Sequence, residues 1–146
     1  MRESEIIFKL ISAEDIPRLK EIMIDDGGCY NAEQLKRFME HRDIVAFGAF
    51  LGNQIIGLIY GYSLCQISDE RPQFFIYSVG IHSNYQNKGY GSKFFQYVVD
   101  YCRNNGYAEV FVPTDKGNVR ACKVYENAGG KSDFDDEIIY VIKFPK

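Results

Sequence analysis

The chain has no tryptophan, and among its 146 residues only two are histidine, four proline and four cysteine. With His41 and His82 as its only imidazoles and no CxxC pair, it lacks the short-spaced Cys/His clusters that build zinc sites, so no metal is expected. No apolar run reaches the ~18–20 residues that cross a bilayer. The opening Met1-Arg2-Glu3-Ser4-Glu5 has no apolar signal core. A cytoplasmic protein with no membrane partner is therefore expected, its thiols Cys29, Cys65, Cys102 and Cys122 reduced and buried. A basic excess is missing too: Lys plus Arg is 17 against 20 for Asp plus Glu, a net charge of −3. That balance disfavours a domain that grips nucleic acid through its phosphates. It suits a cationic small molecule, such as an amine.

What is present is enough for one core. The chain is 46% hydrophobic and 15% aromatic, and its length fits a single domain over 1–146. A chain of this size buries about two-thirds of its unfolded surface. No repeat or Pro/Ser-rich linker divides it. Ile6 to Ile11 reads as a first strand. Ser12 offers an N-cap, with Glu14 and Asp15 in the first turn and Ile16, Leu19, Ile22 and Met23 at helical spacing. A second helix follows Asn31, with Leu35, Phe38 and Met39 on one face. Ile44 to Leu51 and Ile55 to Leu64 are β-rich runs joined at Gly52-Asn53, a hairpin turn. Phe74 to Ile81 continues the antiparallel meander after a polar loop at Asp69-Glu70-Arg71-Pro72. An amphipathic helix then carries Phe94, Phe95, Val98, Val99 and Cys102 and stops near Asn105-Gly106. Tyr107 to Val112 is a short strand, Asn118 to Ala128 a helix ended by Gly129-Gly130, and Ile138 to Phe144 a final strand. The strand–helix–strand unit from 74 to 112 requires a right-handed crossover and parallel pairing. The expected class is a mixed α/β sheet with helices on both faces.

The segment richest in chemistry is Gln86-Asn87-Lys88-Gly89-Tyr90-Gly91-Ser92, between a strand and a helix. Two glycines one residue apart let backbone N–H groups approach a ligand closely. The first helical turn adds unpaired donors and a partial positive charge. This is an anion cradle suited to a phosphate or pyrophosphate. A P-loop would need Gly-Lys-Ser/Thr, but Gly91 is followed by Ser92-Lys93. A dinucleotide G-x-G-x-x-G would need glycine where Phe94 stands. Gln86, Gly89 and Gly91 do satisfy the Q/R-x-x-G-x-G/A loop of acyl-CoA N-acyltransferases.

The flanks agree. Val79-Gly80-Ile81-His82 ends the preceding strand, and Asn118, Ala121, Tyr125 and Gly129 fit N-x-x-A-x-x-x-Y-x-x-x-G. Together these resemble the GNAT superfamily over nearly the whole chain. The stretch from Ile76 through Asp115-Lys116-Gly117 to Tyr125 is similar to the class I aminoglycoside 3-N-acetyltransferases. The resemblance implies a central mixed sheet of about seven strands with about four helices, and acetyl-CoA as co-substrate. It implies that the amides of Gln86 to Ser92 bind the pyrophosphate, with Lys88 a further charge or a solvated loop residue. It further implies that neighbouring strands part so that the pantetheine arm pairs with Val79 and Ile81. A bulge there would free an amide near Ser78 or Val79 for the oxyanion. Members of the superfamily often dimerise through sheet edges or C-terminal strands, so the resemblance admits a homodimer.

By the same resemblance Asn118 bonds the pantetheine arm, a role compatible with a plain N-cap. Tyr125, about two turns on, meets the sulfur. Phenol and thiol pKa values of roughly 10 and 8.5 make full proton transfer to a free thiolate uphill by about 2 kcal/mol, so a hydrogen bond is the better description. An alkylamine is only about 0.04% neutral at pH 7, which adds roughly 4–5 kcal/mol unless a base or the site removes its proton. Similar proteins carry aspartate where Ser78 stands, and serine is no base at neutral pH. Asp115 is the first candidate, with Asp69 and Glu70 behind it, and His82 reads as structural. Asp25 and Asp26 could bind ammonium groups or form a solvated turn. No cysteine has a recognisable histidine partner, so direct attack in a ternary complex is expected. The alternatives are protein or peptide N-acetylation, and a regulatory module that binds acetyl-CoA without turnover.

Overall fold

A computed structural model describes residues 5–132 and 138–146. Five strands form one sheet in chain order: β1 (Ile6–Leu10), β2 (Ile44–Leu51), β3 (Gln54–Leu64), β4 (Gln73–Ile81) and β5 (Glu109–Phe111). The first four are an antiparallel meander and β5 joins β4 in parallel, as the alternating runs predict. The Gly52-Asn53 turn joins β2 to β3, with Gly52 at φ 60°. Helices α1 (Lys20–Asp25), α2 (Ala32–Glu40), α3 (Tyr90–Asn104) and α4 (Val119–Asn127) complete the described residues, with 3-10 turns at Ala13–Leu19 and Ser83–Tyr85.

The first predicted helix is split. Its opening part is 3-10 and contains Pro17, which has no N–H to donate to a helical ladder. Ser12 starts it, but the side chain that closes the turn is Asp15. The Asp15 carboxylate accepts the Ser12 N–H at 2.9 Å and Arg18 Nη1 at 2.9 Å. These bonds compensate for its burial.

Each face of the sheet carries its own core. Phe47, Ala49, Phe74 and Ile76 pack with Phe94, Phe95, Val98 and Cys102 of α3. On the other face Ala46, Phe50 and Ile55 pack with Ile11, Leu19 and Ile22. Two bulges adjust the alternation. One adds Ile56 to β3 opposite Ala49/Phe50, and the other adds Tyr77 to β4 opposite Tyr60/Gly61. An extra residue bends the strand and interrupts the ladder.

Three expectations are corrected. Ile138–Phe144 is not a strand: residues 138–146 have no regular structure, and Ile138, Ile139, Tyr140, Val141, Ile142 and Phe144 are exposed. Apolar alternation sets a strand's faces but cannot supply its partner, and the adjoining edge, β5, is three residues long. The strand count is accordingly five among the described residues, not seven. The four cysteines are free thiols as expected, but of these only Cys102 is buried, while Cys29 and Cys65 are exposed. Among the described residues no helix is long and apolar enough to cross a membrane, and no group of three or more His, Cys, Asp or Glu could hold a metal.

Candidate active site

Strands β4 and β5 pair only across Gln73–Phe75 and Glu109–Phe111. From Ile76 onward, among the described residues, β4 is paired with β3 alone, so the two parallel strands part. Along the gap runs a groove of about 900 Å³. The β4 segment Ser78–Ile81, the 86–92 loop and α4 line one end, and α1, α2 and β3 line the other.

Backbone directions on the parted strand follow from one bond. His82 donates its N–H to the Ile56 carbonyl at 2.7 Å. The register is unbroken from Ile81↔Gly57 to Ser78↔Tyr60. Alternation in an antiparallel ladder therefore turns the main-chain groups of Gly80 and Ser78 toward β3 and those of Val79 and Ile81 into the gap. Gln86 Nε2 donates to the Ile81 carbonyl at 2.9 Å, tying the loop to this open edge. The Tyr77 bulge lies immediately before Ser78.

The loop turns through two left-handed residues, Asn87 at φ 64° and Gly89 at φ 82°. Gly89 is the N-cap of α3 and no side chain caps that end. The N–H groups of Tyr90, Gly91 and Ser92 therefore sit in a first turn without a side-chain acceptor. A Cβ on Gly89 would meet nothing within 4 Å, so its requirement is the positive φ rather than space in the protein. Gly91 is a helical residue whose nearest neighbour to an added Cβ is Ile81 Cγ1 at 3.9 Å. Nothing in the fold demands glycine there; its bare backbone keeps the approach from the groove open. Lys88 lies over the Tyr85 ring, 5.7 Å from its centroid, and is absent from the lining. A cation that sequence reasoning missed does line it: Arg120, whose Nη1 donates to Gln86 Oε1 at 3.4 Å. Its place two residues after Asn118, in the first turn of α4, was the available signal.

Asn118 caps α4 by accepting the Ala121 N–H at 3.1 Å, and both Asn118 and Tyr125 line the groove. Tyr125 is half-buried, its ring 4.7 Å from that of Phe95. Burial, with a smaller contribution from Cys122, pushes its phenol above the ordinary value, so it stays protonated and able to donate.

The carboxylates distribute unexpectedly. Asp25 accepts the Ser83 N–H at 2.9 Å and Ser83 Oγ at 2.5 Å, with His82 Nε2 at 3.7 Å. The Ser83 bonds hold its carboxyl below the usual aspartate range. Asp25 thus latches α1 to the turn after β4. Asp26 lines the rim beside it. Asp115 is exposed and off the groove; its carbonyl accepts the Asn118 N–H at 2.9 Å and Cys122 Sγ at 3.7 Å. Asp69 is engaged by Arg71 at 2.9 Å, which lowers its carboxyl, and neither it nor Glu70 lines the groove. The structure brings together Ser78, Val79, Ile81, the 86–92 backbone, Asn118 and Tyr125, but not Asp115, Asp69 or Glu70.

Comparison with known proteins agrees with this fold. An aminoglycoside acetyltransferase from an uncultured soil metagenomic sample, solved with sisomicin, is 21% identical over 97% of each chain, with a TM-score of 0.82. A ribosomal-protein-alanine N-acetyltransferase from Brucella melitensis biovar Abortus is 14% identical over 97% of this chain and 100% of its own, with a TM-score of 0.78. A transcriptional regulator from Bacillus halodurans is 16% identical over 94% and 100%, with a TM-score of 0.77. At these identities the likeness is one of fold. The search of curated proteins finds no match. The model of the acetyltransferase (GNAT) family matches residues 13–129, and the chain belongs to that family.

Proposed function

We infer that the protein is an acetyl-CoA-dependent N-acetyltransferase that acetylates the primary amine of a small molecule by direct attack in a ternary complex. The observation that carries this reading is the parting of β4 from β5 beside an uncapped helix start, with Tyr125 in the same groove. The residues suit the co-substrate. First-turn N–H groups at 90–92, with Arg120 beside them, match a diphosphate. The open edge at Val79 and Ile81 matches an amide-bearing arm, with Asn118 across the gap.

Acetyl-CoA supplies an activated acyl carbon. The amine nitrogen bonds to that carbon, the carbon–sulfur bond breaks, and the proton lost by the amine balances the one gained by the departing thiol. The Val79 N–H, next to Ser78 and free of the β3 ladder, donates to the developing oxyanion. The Tyr125 hydroxyl donates to the sulfur as charge builds there. Asp115 lies outside the lining, so its service as base would require a water relay; Asp26 lines the other end of the groove, between α1 and α2, which is left for the acceptor.

The likeness to an acetyltransferase solved with sisomicin supports a small-molecule amine. That to a ribosomal-protein-alanine N-acetyltransferase keeps a peptide acceptor as the second reading. Calorimetry with CoA, followed by thiol release over amines and peptides, tests both. Binding of CoA with silence across the whole panel would leave only a module that binds without turnover.

A further inference from the structure

The two ends of the groove differ in chemistry: the α1–α2 end, where the acceptor would lie, sets an apolar wall beside the polar Asn31 and Gln34 and the carboxylates of Asp25 and Asp26. Met23, Leu35, Phe38, Met39, Leu58 and Tyr60 form that wall, each partly buried and packed against the core behind. The Phe38 and Tyr60 rings meet edge to face, 5.0 Å between centroids. Burial keeps the Tyr60 phenol above its ordinary value, so it adds a neutral hydroxyl. Ser78 pairs with Tyr60 across the β3–β4 ladder, which places a second hydroxyl rather than a charge at the same level.

Charge is scarce here. Among the described residues, Asp25 and Asp26 are the carboxylates that line the groove and Arg120 is the cation that does so. Asp25 is engaged by Ser83, while among the described residues Asp26 has no ion-pair partner. A polycation would bring several hydrated ammonium groups to a wall that offers, among the described residues, one carboxylate without an ion-pair partner, and each unpaired charge taken from water is costly. An apolar tail would instead be favoured in proportion to the area it covers.

We propose that the acceptor is a monoamine with an apolar or aromatic tail, the tail lying against the Leu35, Phe38 and Tyr60 wall. The amino group then faces Ser78 and the parted strand, with Asp26 at the rim to draw the cation in. This rests on the acetyl-transfer reading.

The test uses the full chain with acetyl-CoA and measures thiol release from phenethylamine, hexylamine, spermidine, sisomicin and an alanine-led tetrapeptide. Phenethylamine or hexylamine should exceed the other three at least tenfold in kcat/KM. Phe38→Ala should raise the phenethylamine KM about tenfold with CoA affinity unchanged by calorimetry. Leu35→Glu should narrow the gap in favour of spermidine. Equal or better kcat/KM with spermidine, sisomicin or the peptide overturns the proposal. If CoA binds but no amine turns over, equilibrium binding of phenethylamine decides: binding weakened by Phe38→Ala supports the apolar pocket, and no binding overturns it. Failure of CoA itself to bind removes the acetyl-transfer reading instead. The same phenethylamine measurement on the free protein still decides the pocket.

Discussion

The two ends of the groove are made from different materials. The end toward α3 and α4 is mostly main chain: N–H groups of the 86–92 loop, the open edge of β4, and the first turn of α3. The end toward α1 and α2 is side chain, assembled from Met23, Leu35, Phe38, Met39, Leu58 and Tyr60 on three separate elements. A main-chain site depends on local backbone geometry, so substitutions should act through φ and through access to the amides. A side-chain chamber depends on tertiary convergence, so it tolerates a change of residue at the cost of a change in what it accepts.

The sharpest break in that comparison is at the loop. A β-branched residue at a φ of 82° is strained by about 1–3 kcal/mol. Gly89→Val should therefore weaken CoA binding roughly 10- to 100-fold by calorimetry. Gly91→Ala separates fold from ligand. With 3.9 Å to its nearest neighbour, the variant should melt at the wild-type temperature and still lose CoA affinity. An unchanged dissociation constant in both variants would mean that the anion does not dock on this backbone.

Tyr125 should show the next largest effect, on rate rather than affinity. Its hydroxyl is kept protonated by burial and acts on charge that exists only as the thiol departs. Tyr125→Phe should lower kcat about tenfold or more while CoA affinity stays within about twofold. A wild-type rate would leave Tyr125 as packing against Phe95.

This division also explains what was readable in advance. Glycine spacing after a strand is a local signal, so Gln86, Gly89 and Gly91 stood out without any structure. Asn118 and Tyr125 came from the resemblance to the N-x-x-A-x-x-x-Y-x-x-x-G pattern of the family. The antiparallel meander and the parallel crossover were legible from apolar period and turn residues. The acceptor wall was not: Leu35, Phe38 and Met39 show only that one face of α2 is apolar, and a core would look the same. Asp25 reads as part of a polar turn, and only the fold shows it bonded to Ser83, 58 residues away in sequence. Asp115 follows a strand that ends early, and the sequence could not reveal that it is exposed and outside the groove lining. Ile138 to Phe144 failed for the complementary reason, because a strand needs a partner that no periodicity can specify.

The latch tests whether the two ends are mechanically joined. Asp25 ties α1 to Ser83, three residues before Gln86. Its folded pKa lies below the ordinary aspartate value of about 3.8. The stabilisation is thus fully present above that ordinary value and is lost as pH falls through the depressed one. Asp25→Asn should melt below wild type at pH 7, and the difference should shrink as pH falls below about 4. A gap that stays constant down to pH 3 would remove the charge of Asp25 from the latch. CoA affinity should also fall, because the loop then loses its tie to α1.

The smallest effect expected is also the most local. Thiolates, not thiols, react with alkylating reagents, and burial pushes the Cys102 thiol up to about 12, so it should remain unlabelled by iodoacetamide until the chain unfolds. Cys29 is exposed and lines the α1–α2 end of the groove, whereas Cys65 is exposed outside the groove. Native labelling followed by peptide mass mapping should therefore find carbamidomethyl groups on Cys29 and Cys65 and none on Cys102. The adduct at Cys29 intrudes on the α1–α2 rim, which predicts a modest rise in amine KM with no change in CoA affinity. Cys29→Ser should abolish that rise and Cys65→Ser should not. Were labelling to weaken CoA in the wild type but not in Cys29→Ser, the two ends would share a wall at Cys29, and the separation of main-chain cradle from side-chain chamber would have to be redrawn there.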